Sequence, residues 1–117
     1  AQGCTHFLSL HCNSADTHVA SGTETFYRDG HDKAWAQLVQ ASAVLAIGRA
    51  DRGVKREGAS QHGRLAIFDF DGPACLLELG FLSNSIDRAR MLERSRRVAF
   101  WEALAVRLSG SAEGGAS

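Results

Sequence analysis

Two polar side chains interrupt stretches whose apolar pattern otherwise reads as buried strand. One is His11, at the end of Phe7-Leu-Ser-Leu-His11; the other is Glu78, inside Cys75-Leu-Leu-Glu-Leu-Gly-Phe-Leu82. A carboxylate among leucines is costly to bury as a charge unless it is paired, bound to a metal or used in catalysis. Strand side chains alternate between faces, so Phe7, Ser9 and His11 share one side of their strand, and Leu76, Glu78 and Gly80 one side of theirs. Both polar residues fall near the carboxyl end. Alone, each has a plainer reading: a hydrogen-bonded core histidine for His11, a strand-end ion pair with an arginine for Glu78. Together at the same edge of one sheet they suggest a metal-and-carboxylate site, because imidazole is a common metal ligand and a buried carboxylate calls for a cation nearby.

The elements that must position these two residues follow from periodicity. Phe7–Leu10 reads as a buried strand ended by Asn13-Ser14, and Gly22-Thr-Glu-Thr-Phe-Tyr-Arg28 as a second strand. Asp32 is placed to cap a helix whose stripe is Trp35, Leu38, Val39, Ser42, Leu45 and Ala46, with Gly48 as its end. From Arg49 to Gly63 the chain is charged and aperiodic, a loop with at most a short strand near Val54. Leu65–Phe68 reads as a third strand, the turn residues Asp71-Gly-Pro73 follow, and Ala74–Leu79 is a fourth, near-continuously apolar strand. Asn84 or Ser85 caps a final helical region with a break near Ser95. Its apolar face is expected to be Ile86, Ala89 and Leu92, then Val98, Trp101, Ala105 and Leu108. Ser109–Ser117 reads as a flexible Gly/Ser/Ala tail. Strands buried on both faces and separated by helices predict an α/β fold, a largely parallel sheet flanked by helices. In such folds ligands bind beyond the carboxyl ends of the strands.

Composition narrows the function classes. A chain of 117 residues makes one domain, and 13 basic against 13 acidic side chains leave no global field to draw it to nucleic acid or an anionic membrane. The apolar runs are far short of the ~20 residues that span a bilayer, so no membrane insertion is expected. Ala1-Gln-Gly3 does not read as a signal peptide, which leaves export open because a mature chain would have lost its leader. Cys4, Cys12 and Cys75 are odd in number and lack C-x-x-C spacing, and read as small buried hydrophobes rather than as disulfides or a thiolate zinc site. The arginines at 88, 90, 94, 96 and 97 read as a solvated helix face balanced by Asp87, Glu93 and Glu102.

The wording around the two polar residues resembles that of the zinc-dependent N-acetylmuramoyl-L-alanine amidases, the cell-wall amidases of bacteria and their phages. The resemblance rests on Phe7-Leu-Ser-Leu-His-Cys-Asn-Ser14, Gly22-Thr-Glu-Thr-Phe-Tyr27, Arg52-Gly-Val-Lys55 and Gly72-Pro-Ala-Cys-Leu-Leu-Glu-Leu-Gly-Phe-Leu-Ser-Asn84, in the family's order and spacing. It implies a carboxyl-terminal portion of the catalytic domain over residues 1–108 and hydrolysis of the amide between N-acetylmuramic acid and the L-alanine of the peptide stem. It also implies Zn2+ as cofactor, His11 as a zinc ligand and Glu78 as the catalytic carboxylate. Peptidoglycan is the implied partner, and the cell envelope, or delivery to the wall from a phage, the implied location.

The family's opening Asp-Pro-Gly-His-Gly block and the glutamate of its next helix, which supply further zinc ligands, have no counterpart among these residues. One histidine does not hold a catalytic zinc, which takes three protein ligands and water. His6 falls on the opposite strand face from His11, and His18, His31 and His62 lie in polar stretches. The remaining ligands are therefore expected from an amino-terminal segment or a separate chain. The alternative is a non-catalytic amidase-like module that binds the wall or a partner. A second motif, Leu65-Ala-Ile-Phe-Asp-Phe-Asp-Gly72, looks like the nucleophile block of haloacid-dehalogenase-type phosphatases. Pro73 stands where that family has threonine, however, and no lysine lies downstream to hold a phosphate, so Asp69 and Asp71 read as turn carboxylates.

Overall fold

The computed structural model describes residues 5–59 and 70–116, so the strand expected at Leu65–Phe68, Asp69 and Cys4 lie outside the described residues. The elements run β1 (Phe7–Asn13), β2 (Thr23–Tyr27), α1 (Lys33–Ile47), β3 (Asp51–Arg56), a 3-10 turn (Glu57–Ala59), β4 (Ala74–Phe81), α2 (Ser85–Leu92) and α3 (Arg94–Ala116). The described strands form one sheet in the order β1-β4-β2-β3. The β1–β4 and β2–β3 pairings are parallel and the central β2–β4 pairing is antiparallel, so the sheet is largely parallel as the apolar strands imply.

One face of the sheet makes the main core. Tyr27, Cys75 and Leu77 from the strands meet Trp35, Val39 and Ala43 of α1 and Phe100 and Leu104 of α3, all buried. Full burial of a side chain the size of Val39, Leu77, Leu104 or Phe100 contributes about 1.5–3 kcal/mol. α1 is pinned to the strands by hydrogen bonds as well: Trp35 Nε1 donates to Phe7 O at 2.8 Å. Gln40 Nε2 donates to Thr23 O and to Asp51 Oδ1, both at 2.8 Å, while Gln40 Oε1 accepts from Thr25 Oγ1 at 2.7 Å. On the opposite face Phe26, Ala74 and Leu76 pack with Phe70, and polar side chains take over toward the carboxyl end of β4.

Several expectations are corrected. β1 is the outer strand of the described sheet rather than a buried one, with Phe7 and Leu10 exposed, and Cys12 is exposed with it; Cys75 alone of the described cysteines is a buried hydrophobe. Asp51–Arg56 is a full edge strand, not a loop: its charged residues face solvent and the rim while Val54 packs into the core. Asp32 occupies the N-cap position of α1 but does not cap it. Its carboxylate instead accepts from Arg28 Nε at 2.8 Å, Arg28 Nη2 at 3.0 Å and the Ala74 amide at 3.0 Å. Leu45 is exposed. Asn84 caps α2 as expected, accepting from the amides of Ile86 and Asp87.

The helical break falls at Glu93, and the buried face of the last region is offset from the expected one. Met91, Phe100 and Leu104 are buried, whereas Ile86, Leu92, Val98 and Trp101 are exposed. α3 runs helical through residues 109–116, where composition reads as a tail. The arginine run is not a plain solvated face. Arg90 and Arg96 donate to the carbonyls of Ala46, Ile47 and Gly48, where α1 ends in a left-handed Gly48 (φ 71°). These carbonyls lack intrahelical partners, and cations there also complement the helix dipole. Asp87, expected as a surface counter-charge, is fully buried.

Candidate functional site

β1 and β4 run side by side in parallel, and their register sets His11 directly against Glu78. Register partners on neighbouring strands project to the same face, so the imidazole and the carboxylate lie on the sheet face turned away from α1 and α3. Glu78 is 1% exposed; His11, on the outer strand, is exposed. Ser9, two residues back on the same face, holds its Oγ 2.9 Å from His11 Nε2. His6 is on the other side of β1, its ring 4.7 Å from that of Trp35 on α1. Sequence parity had separated the two histidines in the same way.

The antiparallel β2–β4 register extends the row by one strand: Glu24 is the partner of Glu78. His11, Glu78 and Glu24 thus cross β1, β4 and β2 in a line on one face. Glu24 is buried, and its carboxylate receives Arg52 Nε, Lys55 Nζ at 3.2 Å and a long contact from Asn13 Nδ2 at 3.5 Å. A cleft of about 250 Å³ opens over the Glu78 and Glu24 part of this row, lined by Asn13, Ser14, Glu24, Arg52, Glu78 and Phe81, with His11 beside it rather than in its lining. Glu24 and Arg52 are functional candidates that the reading of the strands one at a time left without a role. The available signal was Glu24 itself, a charged residue in a strand buried at every position.

The framework of the cleft is set by Asp87. Its Oδ2 accepts from the Gly22 amide and the Phe81 amide, both at 2.9 Å, and its Oδ1 accepts from Arg49 Nε at 2.7 Å. Gly22 leads into β2 and Phe81 ends β4, so one buried carboxylate fixes the relative position of the strands that carry Glu24 and Glu78. Burial alone would push the Asp87 carboxyl up. The Phe81 amide, Arg49 and the Gly22 amide outweigh that and hold it below its ordinary value. Partial desolvation against the sheet pushes the thiol of the otherwise exposed Cys12 up, with the Glu78 carboxylate adding to it.

The metal question turns on donor number. Among the described residues no three histidine, cysteine, aspartate or glutamate side chains come together to hold a metal ion. The described residues alone therefore do not make a three-ligand zinc centre. A larger groove of about 460 Å³ lies on the helix side, between Leu8, Trp35, Trp101 and Leu108, but no carboxylate lines it. Asp71 is exposed on the turn before β4, as a turn carboxylate would be.

The sequence profile of the family described as N-acetylmuramoyl-L-alanine amidase matches residues 1–108, and the chain belongs to that family. It is 28% identical over 91 residues to N-acetylmuramoyl-L-alanine amidase LytC of Bacillus subtilis (strain 168), a match that takes in 73% of this chain and 17% of LytC. It is 26% identical over 91 residues to the probable cell wall amidase LytH of Staphylococcus saprophyticus, covering 78% of this chain and 30% of LytH. Among solved structures, the catalytic domain of CwlV, the amidase of Bacillus (Paenibacillus) polymyxa var. colistinus, superposes with a TM-score of 0.76 at 28% identity. That superposition covers 93% of this chain and 58% of CwlV. The chain thus spans less than two thirds of each of these relatives.

Proposed function

We propose that residues 1–108 are the carboxyl-terminal part of the catalytic domain of a peptidoglycan hydrolase acting at the cell wall. The reaction is hydrolysis of the amide between N-acetylmuramic acid and the L-alanine of the peptide stem. The observation that carries the proposal is the direct register of His11 against Glu78, whose carboxylate lines the cleft, within a chain that belongs to the amidase family. Among the described residues no helix is long and apolar enough to cross a membrane.

In this reading His11 is one ligand of a zinc ion whose other protein ligands come from outside the described residues. When bound, zinc would supply Lewis-acid polarisation of the scissile carbonyl and lower the pKa of its water toward neutrality. Glu78 is the general base. Its carboxylate takes a proton from the attacking water and returns one to the departing L-alanine nitrogen. Burial at the cleft floor keeps bulk water from competing for that proton. Ser9 Oγ, at hydrogen-bond distance from His11 Nε2, steadies the ring.

Glu78→Gln in the complete enzyme is expected to lower wall hydrolysis by about 10²- to 10⁴-fold while zinc stays bound. Retained hydrolysis would remove Glu78 from the chemistry. The 117-residue chain itself is expected to bind zinc weakly, and stoichiometric tight zinc would overturn the ligand count used here. Retention on peptidoglycan without turnover by the complete enzyme, unaffected by chelation, would favour the non-catalytic binding module instead.

A further inference from the structure

β3 carries an irregularity with a consequence for the cleft. Thr23 pairs with Asp51, but Thr25, two residues on, pairs with Val54, three residues on, so β3 holds one extra residue opposite Glu24. Gly53 sits at that point with φ 86°, a conformation that favours glycine. In an unbroken strand, residues three apart point to opposite faces. The bulge cancels that alternation. It brings both Arg52 and Lys55 to the cleft side, where each reaches Oε2 of Glu24.

Two cations therefore converge on one carboxylate, although a structural ion pair needs only one. Both are at the rim, with side chains 37% and 35% exposed, while Glu24 lies beneath them at 7%. Arg52 also extends back over β2 toward β4, its guanidinium carbon 4.9 Å from the centre of the Phe81 ring. Stacking fixes the plane of the guanidinium while Nε and Nη1 are directed at Glu24 and Ser21 O. The cleft is thus polarised across its width, with Glu78 on its β4 side and a surplus positive charge toward β3.

We infer that Arg52 and Lys55 form a carboxylate-binding subsite, positioned by Glu24 and the Gly53 bulge, that takes the free α-carboxylate of the second residue of the peptide stem. The inference rests on the amidase reading above for the identity of the stem. The dimensions agree. The cationic heads lie between one and two strand spacings from β4, about 5–10 Å. At ~3.3–3.6 Å per residue, the α-carboxylate of the second stem residue falls about 7 Å from the scissile nitrogen. A planar guanidinium and an ammonium side by side suit a carboxylate and discriminate against a neutral amide in its place.

The test is a binding measurement, independent of turnover. N-acetylmuramoyl-L-alanyl-D-glutamate and the same compound with its α-carboxylate amidated are titrated calorimetrically into the chain, its Lys55→Gln and Arg52→Gln variants, and Glu78→Gln. The free acid is expected to bind the parent about tenfold more tightly than the amide, as one charge-assisted contact would give. Lys55→Gln, a rim change that leaves the core untouched, is expected to bring the ratio close to one without weakening the amide, and Arg52→Gln to do the same. Glu78→Gln is expected to keep the preference. Equal affinities in the parent, binding of neither compound, or a preference surviving in both Lys55→Gln and Arg52→Gln would overturn the subsite. The amidase reading fails separately, if the complete enzyme leaves the amide between N-acetylmuramic acid and L-alanine uncut in peptidoglycan, and that result would leave the acid-to-amide ratio where it stands.

Discussion

Replacing Asp87 separates the two jobs its carboxylate performs. In Asp87→Ala the buried amides of Gly22 and Phe81 lose their acceptor, at about 1–3 kcal/mol each, and Arg49 loses a charge-assisted bond worth about 1.5–3 kcal/mol. Such terms are not additive, and the cost of breaking a buried ion pair, about 3–5 kcal/mol, gives the working figure of about 4 kcal/mol. In Asp87→Asn, one amide oxygen at the Oδ2 position keeps both backbone bonds and only the partner of Arg49 is lost, so about 2 kcal/mol is expected. A chain of this length has a total stability of roughly 6–18 kcal/mol at ~0.05–0.15 kcal/mol per residue, so either loss is readily measured. The assay is urea unfolding with the slope checked for constancy, at pH 7 and at descending pH. The carboxyl is depressed in the folded chain, so its contribution is fully present above the unfolded value near 4 and is lost as pH falls through the folded value. The parent should therefore weaken below about pH 4 more steeply than Asp87→Asn, which does not titrate. A loss under 1 kcal/mol in Asp87→Ala, or equal losses in the two variants, would refute the division of labour between Oδ1 and Oδ2.

Three further predictions test other parts of the account. Phe100→Ala, at a residue 2% exposed in the core between α1 and the sheet, should cost about 3–5 kcal/mol, while Trp101→Ala, half exposed, should cost under ~1 kcal/mol. The reverse order in thermal melting would put α3 on its other face. Gly22→Ala should destabilise by at least about 2 kcal/mol, since φ is 110° and a Cβ there would lie 2.6 Å from the backbone oxygen of Ala50. A melt like the parent's would mean the entry to β2 is softer than described. Asp32 is held low in the same way as Asp87, its burial outweighed by Arg28 and the Ala74 amide. Asp32→Asn should therefore also flatten the acid limb of the stability curve, and an unchanged limb would exclude it as a contributor.

Face and neighbour are different kinds of information, and only the first is written in a local stretch of sequence. Alternation in Phe7-Leu-Ser-Leu-His11 and in Cys75-Leu-Leu-Glu78 is enough to say that each polar residue leaves the core side of its strand, and the register agrees. Gly48 and Asn84 were legible for a similar reason, because a left-handed cap and a side-chain cap are demands of single positions. The offset in α3 shows the limit of periodicity. Val98 and Trp101 satisfy helical spacing as well as Phe100 and Leu104 do, and only the position of α1 decides between them. β3 was hidden because Asp51-Arg-Gly-Val-Lys-Arg56 is charged and glycine-broken, the composition of a loop. At the edge of a sheet those charges cost nothing, and the glycine supplies the bulge. Glu24 was hidden for a deeper reason. β2 meets β4 only because the sheet order is β1-β4-β2-β3, in which residues 24 and 78 are neighbours across 54 positions of chain. No window of sequence contains that fact. The cleft's second carboxylate, and the two cations gathered over it, follow from the sheet order, and the strand face that His11 and Glu78 each occupy is the part of the site that parity alone could anticipate.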